Sequence, residues 1–230
     1  MRLSITVLLS ALAIVAASPT LPPRACGTVY PTLFSLLSPE PGYFNSIMQP
    51  AKANTALRTL LDSPHVRLQH IQGTEGKSQD NLQFIDFKIP AASNTCQLEI
   101  ADHANMLYFE KTTDNNAASS ALNIMKLIPG ALCEDPSTEK ITYVDVMDAT
   151  PPVIQYYHWG AVTLQRGQSS IIGSFPCPPA NGNGEDGHAQ FVLEFDPDQL
   201  GAGSCDWVLP QSTTDPGVFG LVSGIYLTHC

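Results

Sequence analysis

Six cysteines, read together with the first residues, constrain this chain's fold more than any other feature. The last of them, Cys230, ends the chain in "GIYLTHC". Two readings compete for it. One is a lipid acceptor, since prenylation modifies cysteines near a C-terminus. The other is one half of a staple that holds the last strand. The opening stretch, "MRLSITVLLSALAIVAASPTLPP", decides between them. It has one positive charge at Arg2 and an apolar run from Val7 to Ala16, broken by Ser10. Val15 and Ala17 occupy the small-residue positions of a cleavage site. Residues 1–17 therefore read as a secretory signal peptide that takes no part in the fold. The run is too short for a transmembrane helix, and no second long apolar run follows. The expectation is a soluble, secreted protein with its cysteines in an oxidising compartment, which favours the staple.

Cys26, Cys96, Cys133, Cys177, Cys205 and Cys230 all follow the signal, and their even number predicts three disulfides. None has the close spacing of a zinc ligand set. About fifteen pairings are open. Cys26–Cys230 is preferred, because it would tie the first strand to the last and close a long loop. "SPTLPPRA", residues 18–25, reads as a mobile Pro-rich leader, and residues 26–230 as one domain. The net charge is −10, or −11 without Arg2, which argues against nucleic acid and anionic membranes as partners. No Asn-x-Ser/Thr sequon occurs, and "NTC" at Asn94 is the rare cysteine variant.

Only 14% of residues are charged, against 19 Pro and 16 Gly, so strands are favoured over long amphipathic helices. "LQFIDFKI" puts Gln83, Ile85, Phe87 and Ile89 on one face and Leu82, Phe84, Asp86 and Lys88 on the other. "CQLEI" alternates, with Cys96, Leu98 and Ile100 inward. "KITYVDV" (140–146) is rich in β-branched and aromatic residues and reads as a strand. "GAVTLQRGQSSIIGSF" reads as two strands around a turn at Arg166–Gly167. "HAQFVLEF" sets Phe191, Leu193 and Phe195 against Gln190, Val192 and Glu194. "VFGLVSGIYLTH" supplies a last strand with Gly220 and Gly224 as bulges. "SSALNIMKLIPG" is read as a strand because its neighbours are. "SIMQPAKANTALRTLLDS" (46–63) has helical spacing that Pro50 keeps short. The sum predicts an all-β fold, an antiparallel, jelly-roll-like β-sandwich stapled by disulfides.

No G-x-S-x-G elbow, H-E-x-x-H or phosphate loop is present. The histidines (His65, His70, His103, His158, His188, His229) are scattered without an acid partner by spacing. Glu99 and Glu194, outward on their strands, are the carboxylates a glycoside hydrolase would use. Asn181, Asn183, Glu185 and Asp186 in "PPANGNGEDGHA" offer oxygens to calcium, as do Asp196 and Asp198, but neither loop has fixed calcium-loop spacing and a turn explains both. No cofactor or metal is therefore expected. "IQYYHWG" gathers Tyr156, Tyr157 and Trp159, rings of the kind that stack on sugars, alongside the alternative that Trp159 and one Tyr fill the core.

Four stretches, "CGTVYPTLFSLLSPEPG", "FIDFKIPAASNTCQLEI", "LQRGQSSIIGSFPCPPANG" and the final "GIYLTHC", follow one another in an order that resembles a family of fungal secreted proteins. The family is grouped as the C-terminal domain of the "ubiquitin 3 binding protein" (But-two) type. Its pattern falls on Phe84 to Pro90, Cys96 with Leu98, Gly167 to Cys177 and Gly220 to Cys230, and the likeness spans residues 26–230. The resemblance implies a β-rich fungal domain, extracellular or wall-associated, with no established catalytic residues. The binding activity behind the family name is intracellular and does not carry over to an exported chain. Cys133 and Cys205 look like additions to the family's cysteines. On that likeness they pair with each other, leaving Cys96–Cys177 beside Cys26–Cys230. The expected function is a non-enzymatic surface protein, a monomer binding cell-wall polysaccharide or an extracellular partner. The alternatives are a carbohydrate-active hydrolase and a secreted effector or antigen.

Overall fold

The computed structural model describes residues 26–39, 64–73, 78–113, 120–132, 141–179, 186–212 and 223–230. The expected short helix in 46–63 and the bulge at Gly220 lie outside them. Twelve strands are described: β1 (Gly27–Val29), β2 (Leu33–Leu37), β3 (His65–Gln72), β4 (Ser78–Ile89), β5 (Thr95–Asp102), β6 (Tyr108–Lys111), β7 (Ala121–Leu127), β8 (Ile154–Thr163), β9 (Ser169–Pro176), β10 (Gly187–Phe195), β11 (Cys205–Pro210) and β12 (Ser223–His229). Two short helices join them, α1 (Tyr143–Met147) and α2 (Pro197–Leu200). All strand pairs are antiparallel. A small sheet runs β1-β12-β5-β9, and a large one β6-β11-β3-β4-β10-β7-β8, with β2 also on β4. The two stack as a sandwich that does not close. The turn at Arg166–Gly167 carries the chain from the edge of the large sheet to the edge of the small one, so β8 and β9 are not a hairpin.

The main core lies between the sheets. Leu98, Ile100, Ile225 and Leu227 from the small sheet meet Leu68, Ile85, Phe87, Ile124, Phe191, Leu193 and Trp207 from the large one. Period-two alternation places them there, since one face of each strand is inward. On β4 and β10 the alternate residues are apolar as well. Phe84 and Val192 join Leu37, Met125, Leu127, Ile141, Val146 and Ile154 in a second apolar cluster. The large sheet is therefore buried on both faces there, and "LQFIDFKI" is almost continuously buried rather than half-exposed.

Part of what covers that second cluster is α1, which corrects the strand expected over 140–146. Thr142 is its N-cap: the hydroxyl accepts from the Asp145 backbone N–H, and the Asp145 carboxylate accepts from the Thr142 N–H at 2.7 Å. This reciprocal box satisfies two donors that a helix start leaves orphaned, and it overrides the β-propensity of the flanking Ile, Tyr and Val.

Among the described residues two disulfides are formed, Cys26–Cys230 and Cys96–Cys177. Both sit at one end of the small sheet. Gly27 opposes His229 across β1/β12, and Cys96 opposes both His229 and Phe175. The backbone of 94–95 is the hub: Asn94 N–H donates to the Cys230 carbonyl at 2.7 Å, Cys230 N–H to Thr95 O at 2.9 Å, and Cys177 N–H to Asn94 O at 3.0 Å. All four strands of the small sheet are thus pinned in pairs. The expected Cys133–Cys205 bridge is not formed. Cys205 is a free, buried thiol packed into the main core opposite His70, and burial pushes its pKa up; Cys133 lies outside the described residues. Gly224, expected as a bulge, keeps regular register opposite Ala101. Its φ of +108° and the Gln211 side chain packed on it are what exclude a Cβ.

Candidate functional site

The outermost strand of the large sheet, β8, is twice irregular. Against β7 its register runs Gly160 to Ile124, then Tyr156 to Lys126, then Ile154 to Leu127. Tyr157, His158 and Trp159 therefore face the single residue Met125, and Gln155 has no counterpart. Bulges of this kind re-aim side chains and blunt a sheet edge. Four consecutive residues, Gln155 to His158, are exposed as a result, with Tyr156 at 51% and Tyr157 at 53%. A regular strand would bury alternate ones.

The aromatic trio is split by this geometry. Trp159 turns inward, its ring 5.5 Å from Phe175 and 5.3 Å from Phe191. Gly173 makes room for it: a Cβ there would lie 2.9 Å from the indole. Trp159 belongs to the core that the alternative reading assigned it to, while Tyr156 and Tyr157 face outward.

Beside these tyrosines lies a polar cluster. Buried Asn123 on β7 donates from Nδ2 to Glu194 Oε1 at 2.6 Å and to the Tyr157 carbonyl at 2.9 Å. With its amide nitrogen committed to two acceptors, its Oδ1 faces His158 Nδ1 at 3.2 Å, so that ring nitrogen carries the hydrogen. Burial raises the Glu194 pKa; the Asn123 hydrogen bond and His158 lower it, and Asp80 and Asp196 raise it again. Tyr143 of α1 is also raised, by burial first and then by Asp148, Asp80 and Glu194. Asp80 in turn bonds His70 Nδ1 at 2.6 Å. The arrangement places a half-buried carboxyl of raised pKa and an exposed imidazole on the edge that carries the two exposed tyrosines, held together by the buried Asn123 amide. None of Asn123, Asp80 or Tyr143 stood out in the sequence. The one available signal was a polar residue inside the apolar run "ALNIMKL".

A thermodynamic consequence follows for Glu194. A carboxyl whose folded pKa is raised favours the folded state while protonated, and that contribution fades as pH rises from the ordinary glutamate value through the folded one. Glu194→Gln keeps an acceptor for Asn123 without the charge. Denaturant melts should therefore find this variant about as stable as wild type at pH 4 and more stable than it at pH 7. Equal stability at both pH values would contradict the burial argument.

Glu99 and Glu194 do not come together: β5 is in the small sheet and β10 in the large one. Glu99 is already occupied, accepting from Tyr226 Oη (3.0 Å), Thr228 Oγ1 (2.9 Å) and Gln97 Nε2 (3.1 Å). His188 bonds buried Asp86, and His229 bonds Ser93 Oγ at 2.7 Å. His65 and His103 are half-buried. Asp196 caps α2, accepting from the Asp198 N–H at 3.0 Å, while Asp198 lies exposed in its first turn. Asp186 lies 3.8 Å from Lys88, and Asn181, Asn183 and Glu185 are outside the described residues. Among the described residues no group of three His, Cys, Asp or Glu side chains could hold a metal ion.

No family model matches the chain, and neither a curated protein nor a solved structure matches it.

Proposed function

We propose that this is a secreted, disulfide-stapled, non-enzymatic protein of the fungal surface that binds cell-wall polysaccharide along the β8 edge. The observation that carries the reading is the pair of consecutive, half-exposed rings of Tyr156 and Tyr157 on a doubly bulged strand, next to Asn123, His158 and Glu194. Flat rings supply apolar area to a pyranose face, and neighbouring polar groups fix its hydroxyls. Export is supported by the two disulfides, which persist in oxidising compartments, and by the signal-like opening residues. No helix among the described residues is long and apolar enough to cross a membrane. The fungal surface assignment rests on the family resemblance.

The test is depletion. Purified protein is mixed with insoluble chitin, β-glucan and α-glucan, and the amount left in solution is measured. Depletion by at least one polymer is the expected result, and no depletion by any of the three contradicts the reading. A second reading, a glycoside hydrolase, is favoured by the half-buried Glu194 carboxyl, whose pKa is raised by burial first. Glycan turnover that Glu194→Gln abolishes would support it; absence of turnover in wild type removes it.

A further inference from the structure

Among the described residues Lys126 is a cation without an anion. Its Nζ lies 4.2 Å from the centre of the Phe175 ring and 5.7 Å from that of Trp159. Among the described residues no carboxylate pairs with it; the ion pairs there are made by Arg67, His70, Lys88 and His188. The chain has 21 acidic residues against 11 Lys and Arg, so acids were plentiful. Withdrawing an ammonium from water is costly unless something compensates it, and ring faces compensate only in part. Burial lowers the Lys126 pKa, with no counter-charge acting to raise it. The two rings hold the ammonium in place before any ligand arrives, which reduces the ordering cost of binding.

Its cross-strand partner is Tyr156. Directly opposed side chains on antiparallel strands have Cβ atoms about 4.5–5.5 Å apart. The half-exposed phenol ring and the ammonium that no described carboxylate pairs with are thus carried by directly paired residues of the sheet edge. A neutral sugar would use the ring and leave the ammonium as it is. A sugar acid would use both.

We infer that Lys126 and Tyr156 form a seat for a uronate residue, its ring on Tyr156 and its carboxylate at the Lys126 ammonium. This rests on the polysaccharide-binding reading above and names the ligand chemistry for the same strand. No covalent step is involved. The acidic surface repels a long polyanion at a distance, so the seat suits a short or sparsely charged acidic glycan.

The test is calorimetric titration of the full chain with trigalacturonate, a size-matched neutral β-glucan trisaccharide and a sulfated trisaccharide. Trigalacturonate is expected to bind at least about tenfold tighter than the neutral sugar, the scale of one charge-assisted hydrogen bond. Lys126→Gln should remove that preference and bring trigalacturonate down to the neutral level. Lys126→Arg should keep it, and it also guards against a variant that fails through misfolding. Tyr156→Ala should weaken both sugars. Equal binding of the acidic and neutral sugars, unchanged in Lys126→Gln, overturns the inference and leaves the polysaccharide reading standing. Lys126-dependent binding of the sulfated sugar alone overturns the uronate in favour of a sulfate ester. Binding of none of the three overturns both.

Discussion

Phe84→Ala is expected to cost about 3–5 kcal/mol of folding stability, as much as Phe191→Ala, although the two residues lie on opposite faces of the large sheet. Both side chains are fully buried. Phe191 stands between the sheets, edge-on to Phe87 at 6.1 Å and to Phe175 at 5.7 Å, and Trp159 leans on it. Phe84 fills the second cluster with Leu37, Met125 and Val192, on the side that α1 helps to cover. In a simple two-layer sandwich that side would meet water, and truncating an outward phenylalanine would change little. Denaturant unfolding of both variants, with unchanged m-values, decides the matter. A cost below about 1 kcal/mol for Phe84→Ala would mean that the second cluster is not a core.

Removing either disulfide should be nearly as costly. The bridges join residues 204 and 81 positions apart. For loops of that length the chain-entropy argument gives about 4.5–5.5 kcal/mol each, and measured losses run from about 2 to 5. The two replacements should differ in detail. Cys26 and Cys230 are exposed, so Cys26→Ala with Cys230→Ala loses mainly the constraint on the unfolded chain, while the Cys230 backbone stays bonded to residues 94 and 95. Cys96 is fully buried, so Cys96→Ala with Cys177→Ala also removes packed sulfur from the core. The second pair should therefore be at least as destabilising despite its shorter loop. With total stabilities commonly about 5–15 kcal/mol, loss of both bridges should leave the small sheet marginal at 37 °C. Unfolding midpoints of the two double variants check this. A change below about 1 kcal/mol in either would contradict the pinning of the small sheet.

The strands were legible wherever alternation is local. "CQLEI" and "HAQFVLEF" show their inward faces in the residues themselves, and β5 and β10 follow. In "KITYVDV" the Thr-x-x-Asp spacing that caps α1 outweighs the β-branched and aromatic composition. The second core was half-visible: Leu82, Phe84 and Val192 are too apolar for a solvent face, but what covers them is a tertiary matter. Cys205 could not be placed by counting, because parity says nothing about which way β11 turns its odd residues; they turn into the main core with Trp207 and Leu209. At the candidate site the tyrosines were legible as residues but not as a surface. Their exposure comes from the register breaks between β7 and β8, which depend on pairing and leave no mark in the sequence. Lys126 gave no signal either, since its lack of a partner is visible only once its neighbours are known.

The bulged β8 edge, through Tyr156 and Tyr157, is the proposed polysaccharide-binding surface. The most direct measurement compares wild type with a Tyr156→Ala, Tyr157→Ala double variant in depletion by the wall polymer that wild type binds. Both rings are about half exposed, so the variant should fold, and unfolding melts of the two proteins should coincide closely. The folded double variant is expected to stay in solution. A folded variant depleted as fully as wild type would contradict it and move the binding surface elsewhere on the molecule.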